Sequence, residues 1–159
     1  ESLGYSARLS GTLMSMFGLV AVAMFSLPTN RLFDRVPPLY CFSAGLAILG
    51  VSQMLIGQSQ AMPVLYAVLA LYGFGFSLLF PAMNTLLVHA TTPENRGQAY
   101  GYFYAFFSVG TVAGSTGIGL LPAAVPTQFV ATGTILLLCV FGVLLTAGSY
   151  GKAHSGERP

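Results

Sequence analysis

The sequence predicts an all-α, polytopic transmembrane helix bundle with five spans. Of its 159 residues, 55% are hydrophobic and 6% are charged, and the mean hydropathy is +0.76, whereas an ordinary water-soluble domain carries about 25% charged residues. The charges are clustered, so that two uncharged stretches of 58 and 55 residues remain. A spanning helix needs about 20 apolar residues. Each stretch therefore accommodates two spans, and the segment between Arg8 and Arg31 accommodates a fifth.

Prolines and a polar cap define the predicted helices that follow the first span. Pro37, Pro63 and Pro126 open helices two, three and five, because proline is well tolerated in a first helical turn. Thr91 and Glu94 have capping-box spacing just before helix four. The linkers within each uncharged stretch are short, so both helix pairs should form antiparallel hairpins. The predicted spans are residues 10–29, 37–57, 63–89, 94–121 and 126–149, forming one bundle within residues 1–150, with a tail at 151–159.

The basic residues predict the orientation of this bundle in a cell membrane. With five spans, alternate loops share a side, and only Arg8 falls on the side of the N-terminus. Cytoplasmic loops carry the excess of basic residues, so the N-terminus should lie outside and the C-terminus in the cytoplasm. The side predicted to be cytoplasmic carries Arg31, Arg35, Arg96, Lys152 and Arg158.

The residues that usually carry enzymatic or metal chemistry are not arranged for it here. The sequence has no nucleophile paired with a base, no paired carboxylates and no phosphate-binding loop. Cys41 and Cys139 lie inside apolar stretches without metal or disulfide spacing, and His89 has no second ligand one turn away. The sequence also lacks a basic run for nucleic acid. We therefore expect no enzyme activity, cofactor, metal or nucleic-acid partner, which leaves lipid and small molecules.

Two predicted cytoplasmic loops carry recognisable motifs. Asp34 and Arg35 lie in residues 30–38, which resemble the Gly-x-x-x-Asp-Arg-x-Gly-Arg loop of the major facilitator superfamily, although Asn replaces the first Gly and two prolines replace the final Gly-Arg. Residues 93–101 resemble the Pro-x-x-x-Arg-Gly-x-Ala-x-Gly segment before the eleventh helix of that family, with the proline one residue closer to Arg96.

The resemblance implies that the five helices are helices eight to twelve of a transporter that works by alternating access. In family terms the sequence looks like a proton-coupled multidrug exporter, that is, an antiporter, and any proton relay would lie in a missing N-terminal half. The chain starts at Glu1 and its first span begins outside, so we expect a C-terminal piece of a longer protein. A non-transporting membrane scaffold or complex subunit remains the alternative.

Aromatic and small polar side chains on helices three and four are the candidate substrate cavity. Helix three carries one broad aromatic face, and Pro81 should kink it. The stripe on helix four carries hydroxyl groups that lipid cannot satisfy. Neutral linings of this kind favour an apolar or amphiphilic substrate. The alternatives are interfacial anchoring for the tyrosines and a packing hydrogen bond for the asparagine. The cavity candidates are Tyr72, Phe76, Phe80, Asn84, Tyr104, Phe107 and Thr111.

The resemblance also suggests a charge latch at the cytoplasmic ends of the helices. Arg35 and Glu94 would form an ion pair that joins helices eight and ten of the family in one transport state, which would bias the conformational equilibrium. Asp34 could cap a helix of the other half, and Arg96 completes the set of loop charges. The alternative is that these charges only set the membrane topology.

Glycines and glutamines distinguish the remaining faces of the bundle. Gly110, Gly114 and Gly117 share one face of helix four, where they would let a neighbouring helix approach closely or would act as a hinge. Helices two and five are apolar all round apart from Gln53 and Gln128. We therefore expect helices two and five to be lipid-facing supports.

Overall fold

The computed structural model describes residues 7–26, 36–59 and 61–155, and it confirms an all-α bundle of five helices. No strand occurs within these ranges. The first helix starts three residues earlier than predicted, and the last continues past the predicted end at 149. A helix satisfies its own backbone groups, so it can extend beyond its apolar part. The helices are α1 Ala7–Ser26, α2 Pro38–Gln58, α3 Met62–His89, α4 Arg96–Gly119 and α5 Val125–Ser155.

The turn before α4 differs from the predicted capping box. Thr91 does not cap α4, because its hydroxyl donates to the Leu87 carbonyl of the preceding helix at 2.8 Å. Asn95 takes the N-cap position without a side-chain cap, and its Oδ1 accepts the Thr92 backbone N–H at 2.9 Å. α4 therefore begins at Arg96, two residues after the predicted start.

Helix α2 occupies the middle of the bundle. It packs extensively against α3 on one side and α5 on the other, and α1 packs on α3. The prediction that helix two is a lipid-facing support is therefore wrong for most of its surface. Two small polar side chains of α2 explain part of the difference between the predicted lipid-facing helix and the observed packed one. Ser43 and Ser52 are buried against neighbouring helices. Tyr40 and Val51 of α2 are exposed.

Glycines form the closest contacts between these packed helices. A Cβ atom added to Gly45 of α2 would lie 2.8 Å from the Gly75 carbonyl oxygen of α3. One added to Gly50 would lie 3.1 Å from the Gly133 carbonyl oxygen of α5, and one added to Gly73 would lie 2.8 Å from the Phe17 carbonyl oxygen of α1. Small residues at helix crossings allow backbones to approach in membrane proteins, and here they hold three helix pairs together.

Three of the described helices are long and apolar enough to cross a membrane: Pro38–Gln58, Met62–His89 and Val125–Thr146. The apolar part of α1 that the structure describes, Gly11–Met24, is shorter. α3 runs as one helix through Pro81, and nearby side chains bond its carbonyl groups, with Thr85 donating to Pro81 and Asn84 to Phe80. α4 is the least apolar of the five helices.

Candidate functional site

The predicted cavity residues of α3 lie in an aromatic cluster that also includes α1. The ring of Phe17 lies 5.5 Å from that of Tyr72 and 5.6 Å from that of Phe76, centre to centre. Phe76 stacks on Phe80 at 5.6 Å. Contacts of this kind contribute roughly 0.5–1.5 kcal/mol each beyond apolar burial. Phe17 is not among the predicted cavity residues. Its contact with the rings of α3 could be recognised only once the pairing of α1 with α3 was known.

The amide of Asn84 continues the same helix towards its C-terminal end. The side chain is half-buried, and its Nδ2 donates to the Phe80 carbonyl oxygen at 2.9 Å. This bond lies within α3, so in this structure the amide bonds its own helix.

The predicted cavity residues of α4 form a second, more exposed aromatic cluster. Phe103 lies 5.3 Å from Tyr104 and 6.2 Å from Phe107 between ring centres, and Tyr104 stacks on Tyr100 at 6.2 Å. Tyr104 is 45% exposed and Phe107 is 52% exposed. The Thr111 hydroxyl donates to the Phe107 carbonyl oxygen at 2.8 Å.

Helix α4 as a whole stands apart from the packed helices. Although the structure describes it throughout, none of its residues is buried, and its contact with α3 is slight. A Cβ atom added to Gly110, Gly114 or Gly117 would meet no atom within 4 Å in the described structure. Close packing or hinging at these three glycines therefore stays a prediction. So does a cavity shared by the α3 and α4 clusters.

The predicted latch is described only on its second loop, because Asp34 and Arg35 lie outside the described residues. Glu94 is exposed, and a hydrogen bond from the Thr92 side chain, helped by one from its own backbone, lowers the pKa of the carboxyl group. Arg96 is half-buried, and its Nε has no hydrogen-bond partner among the residues that the structure describes. The latch stays a prediction.

A pocket that the sequence did not predict lies between α2, α4 and α5. It has a volume of about 300 Å³, with polar walls from Gln53, Ser115, Gln128 and Thr132. Ile118 and Phe129 supply apolar walls, and Gly114 completes the lining. The sequence signal for it is the pair of glutamines, Gln53 and Gln128, in otherwise apolar helices.

Comparison with known proteins identifies the family. The family model of the Major Facilitator Superfamily matches residues 1–158. The chain belongs to the major facilitator superfamily. It is therefore a membrane protein of a transporter family, as the two loop motifs and the helical bundle suggested. No solved structure matches the chain significantly.

Curated relatives are transporters of the same family. An uncharacterized MFS-type transporter, YhhS, from Salmonella typhi is 30% identical over 132 residues, which cover 81% of this chain and 31% of the relative. Multidrug resistance protein 1 from Bacillus subtilis is 26% identical over 147 residues, which cover 91% of this chain and 37% of the relative. The chain thus spans about a third of the length of the curated relatives that it matches.

Proposed function

We propose that this chain acts as the C-terminal membrane bundle of a secondary transporter, which exports a small apolar or amphiphilic molecule by alternating access. The exposed surface of helix α4, in a chain that belongs to a transporter family, is the observation that carries the proposal. It is the least apolar helix, it has no buried residue, and it presents Tyr104 and Phe107 at its surface.

Lipid is a poor environment for this surface of α4. Polar groups facing the hydrocarbon core have no hydrogen-bond partners there, and each one left unsatisfied costs several kcal/mol. Water or protein on the α4 surface removes that cost for the phenol of Tyr104. A substrate path between α4 and the remaining helices of the transporter supplies both water and protein contacts. Such a path agrees with the assignment of α4 to helix eleven of the family.

The chemistry of the two aromatic clusters favours a neutral or amphiphilic substrate. No Asp, Glu, Lys or Arg occurs in the sequence between Arg35 and Glu94 or between Arg96 and Lys152, so α3 and α4 offer rings and hydroxyls within the membrane. Rings also attract cationic amphiphiles by roughly 0.5–2 kcal/mol. The name of the Bacillus subtilis relative, Multidrug resistance protein 1, agrees with a permissive apolar site.

Proton coupling and the orientation complete the proposal. A proton relay needs an ionisable group within the membrane. Because these helices contain no carboxylate at that depth, the relay is assigned to helices outside this chain. The excess of basic residues in these loops supports an orientation with the C-terminus and the loop between Arg31 and Arg35 in the cytoplasm. In this orientation an ion pair between Arg35 and Glu94 closes the cytoplasmic side.

Transport by the complete protein in proteoliposomes tests the proposal. With an imposed pH gradient, we expect export of lipophilic dyes, and Tyr104→Ala should change the ratio of transport rates between two dyes by about fivefold, the effect of losing roughly 1 kcal/mol of ring contact. Tyr102→Ala is the matched control, because Tyr102 is an exposed tyrosine of the same helix that accepts a hydrogen bond from Gln98. Equal dye profiles for the two variants would contradict the cavity. Absence of any transport would favour the scaffold alternative.

A further inference from the structure

Gln53 of α2 and Tyr72 of α3 are polar side chains in the interior of two apolar membrane helices. Gln53 lies five residues before the end of α2, and Tyr72 lies ten residues after the start of α3. Both side chains are half-buried. Hydrocarbon offers no hydrogen-bond partners inside a membrane span, so an amide and a phenol in these positions need partners from the protein.

The packing of α2 against α3 brings these two side chains towards the same level of the bundle. A Cβ atom added to Gly45 would lie 2.8 Å from the Gly75 carbonyl oxygen, and one added to Gly75 would lie 2.8 Å from Cγ2 of Ile48. Because a short linker joins the two helices, they run antiparallel. Side chains lean towards the N-terminus of their own helix, so Gln53 and Tyr72 lean towards each other.

A hydrogen bond between the two helices joins the amide of Gln53 to the phenol of Tyr72. The amide nitrogen is the donor, because Oε1 of Gln53 has no hydrogen-bond partner among the described residues. The phenol oxygen is therefore the acceptor, and the bond attaches the polar end of the Tyr72 ring to α2.

Helix α1 holds the same ring from another side. The centre of the Tyr72 ring lies 5.5 Å from that of Phe17, with the two planes tilted by 58°, and Phe17 also contacts Phe76. The backbones meet at the next residue of α3, where a Cβ atom added to Gly73 would lie 2.8 Å from the Phe17 carbonyl oxygen. A change of the Tyr72 rotamer would move the ring away from Phe17 or its oxygen away from Gln53, so the two contacts together favour one rotamer.

We propose that Gln53 is a positioning residue for the proposed substrate cavity: it fixes the phenol of Tyr72, and this keeps the aromatic cluster of α1 and α3 in one shape that selects among apolar and amphiphilic molecules. This inference rests on the proposed function, in which Tyr72 and Phe76 line the substrate path. Gln53 acts through Tyr72, so its loss alters how well different molecules bind and has little effect on the turnover of a bound one.

Fluorine NMR of the complete protein in detergent tests the hold on Tyr72 without any need for transport. With Tyr72 replaced by fluorotyrosine, we expect a single narrow resonance. Gln53→Met keeps the side-chain length and removes the amide, so it should shift or broaden that resonance as the ring samples further rotamers. Gln98→Met is the matched control, because Gln98 donates to the Tyr102 hydroxyl at 3.2 Å on exposed α4, and it should leave the resonance unchanged. An unchanged resonance in Gln53→Met would overturn the proposal.

Transport by the complete protein in proteoliposomes tests the effect on selection. Gln53→Met should change the ratio of KM values for two lipophilic dyes about threefold, the usual effect of one hydrogen bond between membrane helices, with kcat nearly unchanged. Tyr72→Phe should have the same effect, and adding Gln53→Met to it should change nothing further. Gln98→Met should match the wild type. Additive changes in the double variant, or equal KM ratios in Gln53→Met and the wild type, would contradict the positioning role.

The two experiments separate this proposal from the proposed function. If the wild-type protein transports no dye, the proposed function fails, and the fluorine spectra still decide whether Gln53 holds Tyr72. If Gln53→Met fails to reach the membrane, Gln53→Asn provides the same tests, because its amide ends one methylene group short of the phenol.

Discussion

At the scale of single residues, Gly45 shows how little space separates the central helices. A Cβ atom there would lie 2.8 Å from both the Gly75 carbonyl oxygen and the Leu79 backbone nitrogen. Backbone atoms cannot move aside as a flexible side chain can, so a methyl group forces α2 and α3 apart. Glycines with open surroundings, such as Gly142, carry no such constraint.

Gly45→Ala should therefore destabilise the protein by about 1–3 kcal/mol, the usual cost of overpacking. Gly142→Ala should be neutral or slightly stabilising, because alanine favours a helix over glycine by about 1 kcal/mol. Thermal unfolding in detergent, followed by the loss of monodisperse protein, measures both. A midpoint for Gly45→Ala equal to that for Gly142→Ala would mean that α2 and α3 do not meet at this glycine.

The carboxyl group of Glu94 offers a second test at this scale. Its pKa lies below the usual value chiefly because the Thr92 side chain donates a hydrogen bond to it. Since the folded-state pKa is lowered, any stabilisation from this bond exists above the unfolded-state pKa and is lost as the pH falls through the folded-state pKa.

Thr92→Val should raise the pKa of Glu94 towards its ordinary value. Thr91→Val is the control, because the Thr91 hydroxyl donates to the Leu87 carbonyl oxygen instead, and it should leave the pKa of Glu94 unchanged. An NMR titration of the Glu side-chain carboxyl carbon distinguishes the two variants. If both variants raised the pKa equally, the bond from Thr92 would not be its main cause.

At the scale of helices, the loops that join them carry the proposed latch. Glu94 is exposed in the turn that precedes α4. Arg35 precedes α2 by three residues. The proposed ion pair would join helices eight and ten of the family, α1 and α3 here, in one transport state, and its loss would shift the population towards the other.

A double-mutant cycle in the complete protein tests this pair. Arg35→Ala and Glu94→Ala should each reduce transport, and the double variant should be no slower than the slower single variant, because both remove the same interaction. The measurement is the initial transport rate in proteoliposomes. Rates whose losses add in the double variant would mean that the residues act independently.

At the scale of the whole molecule, the sequence predicted the five helices because charge clusters, prolines and apolar lengths are local signals. It did not predict which helices meet. Helix two is apolar apart from Gln53, which predicted a lipid-facing helix, yet Gly45 and Gly50 pack it between α3 and α5. The glycines of α4 looked like contact residues, but Gly110 has open surroundings in the described structure.

In the candidate site too, features that belong to one helix were predictable from the sequence, and features formed by several helices were not. The aromatic faces of α3 and α4 were predictable from the 3.6-residue period, since each face belongs to one helix. The pocket was not, because Gln53, Ser115 and Thr132 belong to three helices and only their packing brings them together. Single polar residues in otherwise apolar helices were the available signal.

If α3 and α4 line a substrate path, cysteines placed on these two helices in the complete protein should be accessible from water. With Cys41 and Cys139 replaced by serine, a single cysteine is introduced by Phe76→Cys, Tyr104→Cys or, as a lipid-facing control on α5, Leu138→Cys, which replaces a side chain that is 65% exposed. We predict that a small water-soluble thiol reagent modifies positions 76 and 104, that a transported dye slows both reactions, and that position 138 does not react. Unreactive cysteines at 76 and 104, with or without dye, would mean that both positions face lipid or packed protein and that no substrate path runs between α3 and α4.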